Sequence, residues 1–90
     1  MNPSIASEVR ALREQSPVAY VASVNGHGFP QIKAMLVLER ESLRTQYFST
    51  NLSSKRAQQF KKNPKASVYY CDGPQFKGAL FTGTMEVRTD

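Results

Sequence analysis

The sequence predicts a small, mainly β protein, a mostly antiparallel barrel with α-helices at its flanks. Three observations carry this. Five short runs rich in β-branched and aromatic residues follow one another at hairpin spacing. Asn25-Gly26-His27-Gly28 and Asp72-Gly73-Pro74 supply turn chemistry, since Gly and Asn accept the positive φ that tight turns need. One helix-like segment is inserted between the third run and the fourth. At 90 residues the chain makes a single domain over 1–90. A domain this short buries a modest share of its surface, so partner subunits would supplement its stability.

Each element has its own reason. Asn2 to Gln15 reads as a helix, because Ile5, Val9 and Leu12 recur on one face and Ser4 can cap its start. Ser16-Pro17 ends it. Val18 to Val24 is a strand, and after the Asn-Gly turn Pro30 opens a second strand through Leu38. In that strand Ile32, Ala34, Leu36 and Leu38 point one way, and Gln31, Lys33, Met35 and Val37 the other. Glu39 to Arg44 is a charged loop, and Thr45 to Thr50 a third strand. The helix from Ser53 to about Asn63 has little apolar face beyond Ala57 and Phe60, which places it on the outside of the sheet. Asn63-Pro64 stops it. Ala66 to Cys71 is a fourth strand with Ala66, Val68 and Tyr70 on one face. Gly78 to Arg88 is a fifth, long strand, bent or bulged at Gly83, with Ala79, Phe81, Met85 and Val87 on one side. Tyr69, Tyr70, Phe76 and Phe81 read as barrel core. Five strands close a barrel poorly, so a second subunit or further strands would complete it.

Composition narrows the chemistry. No apolar run approaches a membrane span, and no leader pattern is read at the N-terminus. Cys71 is the only cysteine and His27 the only histidine. An internal disulfide, a cysteine metal cage, a zinc site and a histidine triad are all disfavoured, and a reducing cytoplasm is the expected compartment. His27, in a glycine-flanked turn, is assigned no role. No paired carboxylates stand out, so any reaction would come from a bound cofactor, with the protein supplying orientation and electrostatics.

The most informative stretch is Tyr47-Phe48-Ser49-Thr50-Asn51-Leu52-Ser53-Ser54-Lys55-Arg56. A β-rich run breaks into hydroxyl residues and then opens a basic helix. A helix start offers unpaired N–H groups and the positive end of the dipole, which suit an anion such as phosphate. Cations in that first turn oppose the dipole by roughly 0.3–1 kcal/mol unless an anion compensates. Ser49, Thr50, Ser53 and Ser54 exceed the single hydroxyl a cap needs. The chain carries net charge +5, with 12 Lys/Arg against 7 Asp/Glu. Between Ser53 and Lys65 it has Lys55, Arg56, Lys61, Lys62 and Lys65 and no acid. For Lys61, Lys62 and Lys65 a solvated helix face explains as much as an anion site does. Lys33 has two readings as well: an edge-strand lysine that discourages aggregation, or a phosphate ligand converging with Lys55 from a neighbouring strand. A basic barrel binding nucleic acid through Lys61, Lys62 and Lys65 with Tyr69 or Tyr70 ranks last, because the aromatics are better explained as core.

The order of these pieces resembles the FMN-binding split-barrel superfamily, the pyridoxamine 5'-phosphate oxidase-like proteins, and within them the small general stress proteins. The matching segments are Val18-Ala19-Tyr20-Val21-Ala22-Ser23-Val24 with its turn and Gly28-Phe29-Pro30-Gln31-Ile32-Lys33-Ala34-Met35. They continue through Tyr47 to Ala57, Asn63-Pro64-Lys65-Ala66-Ser67-Val68 and Phe81-Thr82-Gly83-Thr84-Met85-Glu86-Val87. The resemblance implies a Greek-key-like split β-barrel that forms a homodimer with FMN at the interface, acting on a small-molecule redox substrate. It implies Lys33 on the FMN phosphate and the backbone of Ala34, Met35, Leu36 and Val37 along the flavin ring. It further implies Ser49 and Thr50 as a hydroxyl pair, and Ser54, Lys55 and Arg56 as helix-start phosphate ligands. Another flavin, a deazaflavin or haem is an alternative cofactor, and a non-catalytic binding or stress protein an alternative function. Relatives run longer, and their C-terminal strands complete the barrel. Two positions depart from the oxidase pattern. Lys33 stands where arginine is usual, giving a point charge rather than a bidentate fork, and Gly78 stands near a glutamine position. Both argue against strict pyridoxamine phosphate oxidation.

Overall fold

The structure, a computed structural model, describes residues 3–39, 43–49 and 55–88. The element order is α1 (Pro3–Gln15), β1 (Val18–Val24), β2 (Pro30–Glu39), β3 (Tyr47–Phe48), α2 (Lys55–Lys62), β4 (Lys65–Asp72) and β5 (Lys77–Thr84). All neighbouring strands are antiparallel, in the order β3-β2-β1-β4-β5. The sheet curls into a half-barrel. Its two edge strands are brought to one cavity of about 370 Å³, lined by Phe48 from β3, Phe81 to Thr84 from β5, and Ala66 and Val68 on its floor. An antiparallel β-barrel-like fold is therefore what the sequence encodes, left open between β3 and β5.

The β1–β2 hairpin sets the register. Asn25 Oδ1 accepts from the His27 N–H at 2.9 Å and the Phe29 N–H at 3.0 Å, and Gly28 takes φ 84°. The ladder then runs unbroken from Val24 opposite Pro30 to Val18 opposite Leu36. One face of the sheet holds the core: Ala19, Val21, Met35, Val37, Val68 and Tyr70, covered by Leu12 of α1 and Phe60 of α2.

Several expectations are corrected. α1 begins at Pro3, whose fixed φ suits a first helical turn, so Ser4 lies inside the helix rather than capping it. β3 is confined to Tyr47–Phe48 and β5 stops at Thr84. Beyond Thr84 the Met85 N–H donates to the Pro64 carbonyl at 2.7 Å, while Met85 and Val87 still pack on the core. α2 lies on the core face, not the outside: Ala57 and Phe60 are few but both are buried against the sheet. The expected start of that helix at Ser53 lies outside the described residues.

The aromatics divide as well. Tyr70 is fully buried and packs edge-on against Phe81, with centroids 5.9 Å apart. Tyr69 is half-exposed on the opposite face, because strand alternation turns it away from Tyr70. Phe76 sits almost wholly exposed in the β4–β5 turn at φ 53°, where it cannot reach the core. Arg13 is the buried residue that sequence patterning does not flag. Its guanidinium lies 5.4 Å from the Tyr70 ring centroid, an amphipathic side chain laid along the core.

Tyr70 is thus held from several sides, and its hydroxyl donates to Gln46 Oε1 at 2.7 Å. Tyr70→Phe, which removes that bond alone, is expected to cost about 1 kcal/mol. Tyr70→Ala, which also opens a cavity, is expected to cost about 3–5 kcal/mol. Urea unfolding midpoints of the two variants check both values.

Candidate functional site

The site is built from the parity of β2. Met35 and Val37 turn into the core and are buried. Lys33 and Gln31 share their side of the strand, yet both are exposed. Their partners on β1 are Val21 and Ser23, which are buried. α2 covers this same side, and one residue ties it down. Gln59 Oε1 accepts from Ser23 Oγ at 2.7 Å, and Gln59 Nε2 donates to Gln31 Oε1 at 2.7 Å.

That tether locates the expected cations. Lys55 stands four residues before Gln59, on the same helical face and about 6 Å along the axis. Lys33 stands two residues beyond Gln31, about 7 Å along the strand. The structure therefore puts Lys33 and the first turn of α2 on one side of the sheet, each a short step from one hydrogen-bonded junction. Lys55 is exposed, and no acid occupies the first turn of α2. Lys61 and Lys62 lie in the last turn, where cations complement the dipole, so helix electrostatics alone accounts for them.

The backbone of β2 adds a second feature. The Ser49 N–H donates to the Leu36 carbonyl at 3.4 Å, while the Val37 N–H donates toward the β1 side, to Pro17 at 3.3 Å. Peptide groups in an antiparallel strand alternate in direction. Ala34 and Leu36 thus present theirs to the β3 side, and Met35 and Val37 to the β1 side. Strand pairing with β3 is confined to Val37 and Glu39, so among the described residues no β3 strand lies opposite Ala34. Of the four residues Ala34 to Val37, Ala34 is the one whose backbone donor and acceptor face the β3 side with no β3 partner among the described residues, next to Lys33. Met35 and Val37 contribute packing instead. Ser49 follows β3 and lies beside Leu36, three residues from Lys33. Thr50 and Ser54 lie outside the described residues, as does the side chain of Arg56.

Sequence reasoning missed the Ser23–Gln59–Gln31 junction, since a glutamine in a polar helix carries no signal of its own. It also missed the pairing of Tyr69 with Gly78. The Tyr69 ring leans diagonally across β5, so that a Cβ at position 78 would meet its hydroxyl. Gly78 is what lets Tyr69 lie along the outer face. Around it that face exposes Tyr20, Ile32, Leu36, Leu38 and Leu80, with Ile32 at 70%. Among the described residues no group of His, Cys, Asp and Glu is arranged to hold a metal ion. No helix among them is long and apolar enough to cross a membrane.

Comparison with known proteins converges on one fold. The family model of pyridoxamine 5'-phosphate oxidase matches residues 5–90. A Clostridium acetobutylicum protein related to general stress protein 26 of B. subtilis, of the pyridoxinephosphate oxidase family, superposes with TM-score 0.92 at 32% identity. The alignment covers 100% of this chain and 63% of that one. A Listeria innocua structure described as a pyridoxamine 5'-phosphate oxidase gives TM-score 0.82 at 24% identity, over 96% of this chain and 68% of that one. A pyridoxamine 5'-phosphate oxidase-related, FMN-binding protein from Nostoc punctiforme gives 0.74 at 16%, over 93% and 46%. No curated protein matches the chain. The chain thus spans less than two thirds of the Clostridium protein.

An anion held between Lys33 and the start of α2 would have a direct consequence. If that anion is a flavin phosphate, Lys33→Ala and Lys55→Ala should each weaken its binding about tenfold or more, the loss of one charge-assisted hydrogen bond. Lys62→Ala should leave it unchanged. Titration by flavin fluorescence checks the contrast.

Proposed function

The chain belongs to the pyridoxamine 5'-phosphate oxidase family, and from that premise we propose that it binds FMN by its phosphate and serves as a flavin-dependent oxidoreductase. The observation that carries this reading is the placement of Lys33 and the basic start of α2 on one side of the sheet, beside Ala34, which has no β3 partner among the described residues. Lys33 and Lys55 would neutralise the phosphate, with Arg56, Ser54, Ser49 and Thr50 completing its shell. The Ala34 peptide, facing the β3 side, would hydrogen-bond the polar rim of the ring. Bound FMN would supply hydride or electron transfer to a small-molecule substrate. The protein's part is to orient the ring and keep water from it.

The outer face of the sheet supports a homodimer. Tyr20, Ile32, Leu36, Leu38, Tyr69 and Leu80 are exposed together across β1, β2, β4 and β5. Soluble monomers rarely expose contiguous apolar patches beyond a few hundred Å². A second copy laid against this face would bury it and enclose a ring lying along β2. A flavin carrier without turnover is the second reading. It is favoured by Gly78, which offers no side-chain donor and whose outer space Tyr69 occupies.

The test is a visible absorption spectrum taken after incubation with excess FMN and gel filtration. The reading predicts flavin bands near one per protomer, eluting at the mass of a dimer. A colourless protein overturns it.

A further inference from the structure

We propose that Gln59 is a positioning residue for the phosphate: it fixes the start of α2 against Lys33 without itself touching the ligand. This rests on the phosphate-anchored FMN reading above. α2 has eight residues, too few to be a stable helix without support from the sheet. Its buried attachments, Ala57 and Phe60, are apolar. Apolar contacts are non-directional and leave a short helix able to slide or turn on the surface it covers. Hydrogen bonds are directional and weaken steeply when misaligned.

Gln59 supplies that direction on both strands at once. Its carbonyl oxygen takes the hydroxyl proton of Ser23 on β1, and its amide donates to Gln31 on β2. The two contacts are 36 and 28 residues away in sequence, so they join parts of the chain that local structure does not. Ser23 is 2% exposed, which places one end of the junction out of any ligand's reach. Gln31 precedes Lys33 on the same side of β2, and Lys55 precedes Gln59 by one turn of α2. A glutamine amide is at once donor and acceptor, a pairing methionine lacks altogether. Loss of the junction would release the helix-start cation from its register with Lys33, while the core contacts of Phe60 remain.

The experiment compares FMN with riboflavin, which has the same ring and no phosphate, by fluorescence titration. The proteins are wild type, Gln59→Met, Ser23→Ala, Lys33→Ala and the Gln59→Met/Lys33→Ala pair. The expected result is an FMN affinity lowered about tenfold in Gln59→Met and in Ser23→Ala, with riboflavin affinity unchanged. In the Lys33→Ala background Gln59→Met should cost markedly less than in wild type, because the two act through one geometry and their effects are not additive. An equal loss for riboflavin, or losses that simply add, would show a merely structural role and overturn the proposal. If Gln59→Met does not fold, Ser23→Ala decides, with its own riboflavin control. Wild-type protein that binds FMN no more tightly than riboflavin would overturn the phosphate reading itself, and this inference with it.

Discussion

The alternation of β2 is the constraint on which the rest depends. Because successive side chains leave a strand on opposite faces, Met35 and Val37 can enter the core only if Ile32, Leu36 and Leu38 face outward. The unbroken β1–β2 register fixes which set is which; a slip of one residue would exchange them. The consequence is a sheet apolar on both faces. The inner face is satisfied within the chain by Leu12 and Phe60. The outer face is not, and covering each of its large side chains is worth on the order of 1 kcal/mol. The proposed association and cofactor enclosure would answer one physical demand, which the strand pattern itself creates.

The same alternation decides the electrostatics. Lys33 sits on the inward-facing side, yet a buried ammonium would be costly without a partner. It is tolerated because the Lys33 side chain is exposed, although Val21 opposite it is buried. On the same side α2 arrives with Lys55 in its first turn, against the preference of the helix dipole. Two cations on one side of the sheet, neither locally favoured, are the reason an anion site is proposed there. Ala34, which has no β3 partner among the described residues, would offer directional backbone groups next to Lys33. In the proposed site, charge and hydrogen bonding would meet at one end of the sheet, while the apolar outer face lies on its other side.

Much of this is legible in the chain, and the rest fails for identifiable reasons. The hairpin at Asn25 to Gly28, the β1 and β4 segments and the two faces of β2 follow from turn chemistry and period-two patterning, both local properties, but which face of β2 turns inward does not, since the more apolar set, with Ile32, Leu36 and Leu38, is the exposed one. The family pattern is legible because its pieces occur in order across nearly the whole chain. The side of the sheet that α2 occupies is not legible: Ala57 and Phe60 show that it has a buried stripe, but not which surface buries it. Arg13 is hidden for a related reason, since its pattern reads as the basic end of a helix and its burial depends on Tyr70, far along the chain. Tyr69 and Phe76 are aromatic like Tyr70 and Phe81, and only strand parity and a left-handed turn residue separate them. The Gln59 junction needs three polar side chains from three elements and leaves no trace in any one of them. In the candidate site, the cations were visible as sequence anomalies, whereas the direction of the Ala34 peptide required the register.

The central claim is that FMN is held at the Lys33 end of β2, between the start of α2 and the Ala34 peptide. Amide NMR of the labelled protein during FMN addition tests it most directly. The account predicts the largest shifts at the Lys33 and Ala34 amides and in the first turn of α2, with Gln59 and Gln31 following. The amides of the β4–β5 turn around Phe76 should stay unmoved. Shifts confined to that turn and α1, with β2 and α2 silent, would contradict the account.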